Sequence, residues 1–134
     1  MHRKTAVLTL ALVLAPLAHG KEFSGARALE YTRKAVAFGP RPPGTPAIHK
    51  LQSYIAQQLK LRGCEVISDS FNAKTPDGPV AMENIIAKFP AALPGTSGKA
   101  VVFSGHYDTK LQSDFVGAND GGSSTGFLLE MAEA

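Results

Sequence analysis

Between Ser24 and Phe38, Leu29, Thr32, Ala35 and Ala37 fall near one face of a 3.6-residue repeat, with Ser24 ahead of them as an N-cap. Gly39-Pro-Arg-Pro-Pro-Gly44 ends this predicted helix. Thr45 followed by Pro46 marks a second helix start, because proline at the first helical position gives up a donor that has no intrahelical partner. From Ala47 to Leu61 the residues Ile48, Leu51, Ile55 and Leu59 keep helical spacing until Gly63 stops it. The period then shortens. Cys64 to Phe71 alternates in part, Val66 and Ile67 apolar against polar Ser68, Asp69 and Ser70, which predicts a strand near a sheet edge. Thr75-Pro-Asp-Gly78 reads as a turn, and Met82 to Phe89 as a second strand ended by Pro90. A loop rich in small residues follows over Ala91 to Gly98.

The apolar run Ala100, Val101, Val102 and Phe103 within Lys99 to Gly105 has the composition of a central parallel strand buried on both faces. In open α/β sheets ligands bind at the carboxyl ends of strands, which is where His106 and Asp108 would stand. A helix is predicted to begin near Asp120, with Phe127, Leu128 and Met131 at helical spacing and no capping glycine, closing basic residue or proline before Ala134. A helix still running at Ala134 and a strand that needs partners on both sides predict an incomplete piece of a larger α/β domain. No internal repeat or interdomain linker is visible, so residues 21–134 are assigned to one domain.

The amino terminus changes the charge picture. His2-Arg3-Lys4, the apolar run Ala6 to Leu17 and the small residues of Ala18-His19-Gly20 have the order of a secretory signal peptide over residues 1–20. The run is shorter than the roughly 20 residues a spanning helix needs, so a secreted or periplasmic protein without a membrane anchor is expected. Removing Arg3 and Lys4 with the leader leaves 12 basic against 11 acidic residues, which is no nucleic-acid footprint. Cys64 is the only cysteine, so no internal disulfide can form, and a small buried residue is expected there.

His106 and Asp108 are two apart, so in strand geometry they project to one side and can act on one ion or orient one another. A surface turn with a hydrogen-bonded histidine would give the same spacing. Asp120 is flanked by Gly117, Gly121 and Gly122, which free the backbone for tight turns and close approach. A plain helix cap is the alternative, and Ser123 or Ser124 could fill that role too.

The order of these parts, a hydrophobic strand, Gly-His-Tyr-Asp-Thr-Lys, Phe-Val-Gly-Ala-Asn-Asp-Gly-Gly-Ser-Ser and then an apolar helix, closely resembles the zinc-dependent aminopeptidase family that includes the glutaminyl-peptide cyclotransferases. Arg41-Pro-Pro-Gly44-Thr-Pro resembles the family's amino-terminal pattern. Phe71, Thr75-Pro-Asp-Gly78, Asn84-Ile-Ile86, Lys110 and Phe115-Val-Gly-Ala118 are similar to the cyclase branch. The resemblance implies an α/β three-layer sandwich around a mixed, mostly parallel sheet.

It also implies a zinc site in which Asp120 and His106 are the metal residues and Asp108 supports them. Asp120 matches a ligand in both branches. His106 matches a ligand in the two-zinc aminopeptidases, where Asp120 would bridge the metals, and a non-ligand in single-zinc cyclases. Animal cyclases carry a cysteine before this histidine, paired with one after the aspartate; here Gly105 and a run of glycines and serines stand instead. The family's later glutamates and final histidine would fall beyond Ala134, so the remaining catalytic groups are expected there.

The implied activity is conversion of an amino-terminal glutamine to pyroglutamate. The alternatives are a secreted zinc aminopeptidase and a metal-free binding domain of the same fold. The expected partner is a peptide or protein with a free amino terminus. Glu130, Arg27, Arg33 and Lys34 are read as solvated charges without a role.

Overall fold

Ser24 caps the first helix, α1 (Gly25–Val36), by accepting a hydrogen bond from the Arg27 amide, and Arg33 and Lys34 in its last turn complement the helix dipole. Helix α2 (Pro46–Lys60) starts as the sequence predicts, with Thr45 accepting from the Ile48 amide and Pro46 in the first turn. Its stripe of Ile48, Leu51, Ile55 and Leu59 is buried. Gly63 leaves the helix at a φ of 71°, a left-handed conformation that glycine adopts without steric cost. The structure is a computed structural model that describes residues 21–90 and 98–134. The leader read in residues 1–20 and most of the small-residue loop after Pro90 lie outside the described residues.

Strands β1 (Glu65–Thr75) and β2 (Gly78–Lys88) pair antiparallel from Glu65 opposite Lys88 to Thr75 opposite Gly78. Both run longer than their apolar patterns predict, because main-chain pairing in a hairpin carries polar positions such as Asn72 and Lys74 along with it. The Pro76-Asp77 connection closes on Gly78 at a φ of 111°. Val66, Ile85 and Ala87 at the base of the hairpin pack on the core, while Ser68, Asp69 and Ser70 are exposed.

The core is formed by Ala35 from α1, Leu51, Ile55 and Leu59 from α2, and Leu129 from the last helix, α3 (Ser124–Met131). Cys64 is half-buried beside it, its thiol 3.3 Å from the Leu59 carbonyl oxygen, so it is less enclosed than its type predicts. Helices α1 and α3 approach so closely that a Cβ on Gly126 would lie 2.2 Å from Thr32 Oγ1 and 2.4 Å from the Ala28 carbonyl oxygen. No described helix is long and apolar enough to cross a membrane.

Two expectations are corrected. Lys99–Gly105 is not part of a sheet: the two-stranded hairpin is the only sheet among the described residues, and Val101 and Val102 are each 82% exposed. The apolar run signals a buried strand, yet a strand forms only against hydrogen-bonding neighbours, and no described segment pairs with it. The parallel sheet and three-layer arrangement are accordingly not seen in the described residues. The second correction concerns α3, which begins at Ser124 rather than near Asp120. Ala118–Ser123 is a wide turn whose helical path is broken at Asp120 (φ −85°, ψ 97°) and Gly121 (φ 90°, ψ −35°).

Candidate functional site

The segment after Gly105 and the turn before α3 meet at His106. Its Nε2 lies 3.0 Å from Asp120 Oδ1, and its Nδ1 lies 3.2 Å from Asp108 Oδ1. Lys110 Nζ is 3.5 Å from Asp120 Oδ2. The three residues singled out in the sequence are therefore neighbours in space, and all three are partly open to solvent. Because α3 starts four residues later, Asp120 is not its cap.

A neutral imidazole has one N–H and one lone pair. Flanked by two carboxylates, the His106 ring can satisfy only one of them unless it carries a second proton or a cation lies close by. In a tetrahedral zinc site, nitrogen and oxygen donors each about 2.0–2.1 Å from the metal are about 3.3 Å apart, close to the His106 Nε2 to Asp120 Oδ1 distance of 3.0 Å. The donor types and their spacing thus fit two corners of a zinc site. Among the described residues no cluster of three or more His, Cys, Asp or Glu side chains is placed to hold a metal.

Glycine makes the meeting possible. A Cβ on Gly121 would stand 2.5 Å from the Asp108 carbonyl oxygen and 3.2 Å from His106 Cε1. One on Gly117, which has a φ of 54°, would stand 2.3 Å from the Asp120 carbonyl oxygen. The glycines flanking Asp120 therefore admit close approach of the protein's own backbone.

Beneath this surface lies Arg41, which is fully buried. Its Nε donates to the Tyr107 carbonyl at 2.8 Å, Nη1 to Val116 at 2.6 Å and to Gly39 at 3.2 Å, and Nη2 to Gly117 at 3.3 Å. Its main chain exchanges bonds with Thr109, whose hydroxyl accepts from the Arg41 amide at 2.9 Å and whose amide donates to the Arg41 carbonyl at 3.2 Å. Burial pushes the guanidinium pKa down, and the nearby charge of Asp108 opposes that shift. Tyr107 points the other way, accepting from Gln52 Nε2 at 2.9 Å and donating to the Glu83 carbonyl oxygen. Burial raises its pKa, as the neutral phenol is favoured.

The charges read as solvated divide into two groups. Arg33 and Lys34 are exposed, as expected. Glu130 is instead fully buried, and it accepts from Arg27 Nη2 at 2.6 Å, Arg27 Nε at 3.0 Å and the Ser24 amide at 2.7 Å. Glu130 is buried because α3 packs on α1, which brings its carboxylate to Ser24 and Arg27 at the start of α1. Arg41 also escaped the reading of individual residues, although the glycines and prolines around it marked an irregular, fixed segment.

Comparison with known proteins follows the same geography. Residues 84–134 match the family described as Peptidase family M28. The glutaminyl-peptide cyclotransferase-like protein of Bos taurus is 33% identical over 100 residues, which are 70% of this chain and 25% of that protein. The structure of Porphyromonas gingivalis glutaminyl cyclase superposes with a TM-score of 0.69 at 33% identity, covering 83% of this chain and 39% of that one. A Zn-dependent exopeptidase from Parabacteroides distasonis superposes with a TM-score of 0.73 at 31% identity, covering 86% and 42%. The chain thus spans about a quarter of the length of the curated relatives it matches.

Proposed function

The chain belongs to the family of zinc-dependent aminopeptidases and glutaminyl cyclases, and from that premise we propose that the protein is a secreted or periplasmic zinc-dependent glutaminyl-peptide cyclotransferase. In this reaction the free α-amine of an amino-terminal glutamine bonds to its own side-chain amide carbon, the amide C–N bond breaks, and a proton passes to the departing ammonia. The observation that carries this reading is the kind of relative matched: the curated proteins of Bos taurus and Mus musculus are both glutaminyl-peptide cyclotransferase-like proteins, and glutaminyl cyclases recur among the similar structures.

When bound, zinc would supply Lewis-acid polarisation of the side-chain amide carbonyl. Asp120 would hold it through the carboxylate. His106 would fix Asp120 Oδ1 in place, Asp108 would hold the imidazole through Nδ1, and Lys110 would offset part of the negative charge on the site. The peptide substrate would need a free amino terminus, since that amine is the nucleophile.

The 3.0 Å approach of His106 Nε2 to Asp120 Oδ1 favours a second reading, a zinc aminopeptidase in which both side chains bind metal and activated water attacks the first peptide bond. The deciding experiment offers the protein, purified from its full-length reading frame, a glutamine-initiated and a leucine-initiated peptide, with and without a chelator. Chelator-sensitive ammonia release with a blocked amino terminus is expected. Chelator-sensitive release of free leucine would move the protein to the aminopeptidases, and silence on both peptides would leave a binding domain of the same fold.

A further inference from the structure

Among the described residues the buried Arg41 guanidinium has no carboxylate partner; apart from a bond to the nearby Gly39 carbonyl, its bonds go to main-chain carbonyls of two distant segments. One is the segment that carries His106 and Asp108, held at Tyr107. The other is the segment that leads into Asp120, held at Val116 and Gly117. Desolvating a cation is costly, and a lysine would present one ammonium point where the guanidinium presents a planar fork of donors. The fork therefore sets the distance between these segments. The Gly122 amide closes the same turn on the Gly117 carbonyl oxygen at 2.9 Å, so Gly117 is gripped from both sides.

We infer that Arg41 is a positioning residue for the metal site: by tying the Tyr107, Val116 and Gly117 carbonyls together it holds His106 within reach of Asp120. The inference rests on the zinc reading above for its consequence, and on the observed hydrogen bonds for its geometry. Arg41 touches neither substrate nor metal in this role.

The test compares Arg41→Lys with Arg62→Met, a variant that removes the contacts of Arg62 with Glu133 and Tyr31 at the far end of α2. Zinc affinity is measured by competition with a chelator, thermal unfolding is measured without metal, and amide hydrogen exchange is followed at Gly122 and at Leu51 in the core. Because the carbonyls held at Val116 and Gly117 lead into Asp120, the ligand common to both readings, Arg41→Lys should weaken zinc binding by about tenfold or more, whereas Arg62→Met should not. Arg41→Lys should also speed Gly122 exchange in the metal-free protein while leaving Leu51 protected.

Equal zinc affinity in Arg41→Lys and the parent would overturn the inference, as would loss of cooperative unfolding in Arg41→Lys, since Arg41 would then hold the whole fold. If the parent binds no zinc, the functional proposal falls and exchange decides the positioning role. Unchanged Gly122 exchange then overturns it, and selective acceleration supports it.

Discussion

Glu130 of α3 closes on Arg27 of α1 through two hydrogen bonds, of 2.6 Å to Nη2 and 3.0 Å to Nε, while its Oε1 also accepts from the Ser24 amide. One buried carboxylate thus ties α3 to the start of α1 across 103 residues of sequence. Its pKa is lowered, chiefly by the hydrogen bond from Arg27.

Replacing this carboxylate should loosen the α1 to α3 packing. Glu130→Ala leaves the Ser24 amide without its acceptor and opens a cavity beside Leu129, so the unfolding midpoint should fall by roughly 10 °C or more. Glu130→Gln keeps the volume and one acceptor and should fall less. Differential scanning calorimetry of the two variants checks the order.

A second carboxylate gives the fold a pH dependence. The Glu133 carboxyl is held at about 2, below its ordinary 4.5, first by the hydrogen bond from the Tyr31 hydroxyl and then by Lys21 and Arg62. A depressed carboxyl contributes stability that is complete above the unfolded value and is lost as pH falls through the folded one. Between about 4.5 and about 2 the parent should therefore lose stability more steeply than Glu133→Gln, which has no proton to take up there. Chemical unfolding at a series of pH values reads the difference directly.

How much of this was legible follows from how local each signal is. Ser24, Thr45 and Pro46 act on the turn they begin, and the Ile48, Leu51, Ile55 and Leu59 stripe faces inward as its spacing requires. The neighbourhood of His106, Asp108 and Asp120 was likewise readable from their order and their glycines. Glu130 and Arg41 were not readable as buried charges, because their partners lie 103 and 66 or more residues away, the Gly39 carbonyl apart. Lys99–Gly105 failed in the opposite sense: its composition states a preference for a sheet interior, and composition cannot supply the neighbouring strands.

Gly121 and Gly63 both have positive φ, of 90° and 71°, yet only Gly121 is crowded. Alanine at Gly63 would meet open space and pay for its backbone alone, about 1–2 kcal/mol. Alanine at Gly121 would also push on the Asp108 carbonyl and the His106 ring and so displace the turn that carries the adjacent Asp120, and it should weaken zinc binding by about tenfold or more where Gly63→Ala does not. Chelator competition on the two variants separates the local strain from the damage to the site.

Metal stoichiometry separates the two chemical readings at the level of single side chains. In the cyclase reading one zinc is expected per chain, held through Asp120, with His106 as its hydrogen-bonding neighbour. Asp120→Asn should then lose the metal, because a neutral amide is a much weaker zinc ligand than a carboxylate, while His106→Gln should keep one equivalent and lose mainly activity. In the aminopeptidase reading, with His106 and Asp120 both binding, the parent should carry up to two equivalents and His106→Gln should remove one of them. Asp108→Asn extends the argument. Where His106 binds metal, loss of the carboxylate at its Nδ1 should cost about 10- to 100-fold in affinity for that ion. Where it does not, affinity should stay near that of the parent. Zinc measured by mass spectrometry in the three purified variants, dialysed against the same buffer, distinguishes the two outcomes without any assay of turnover.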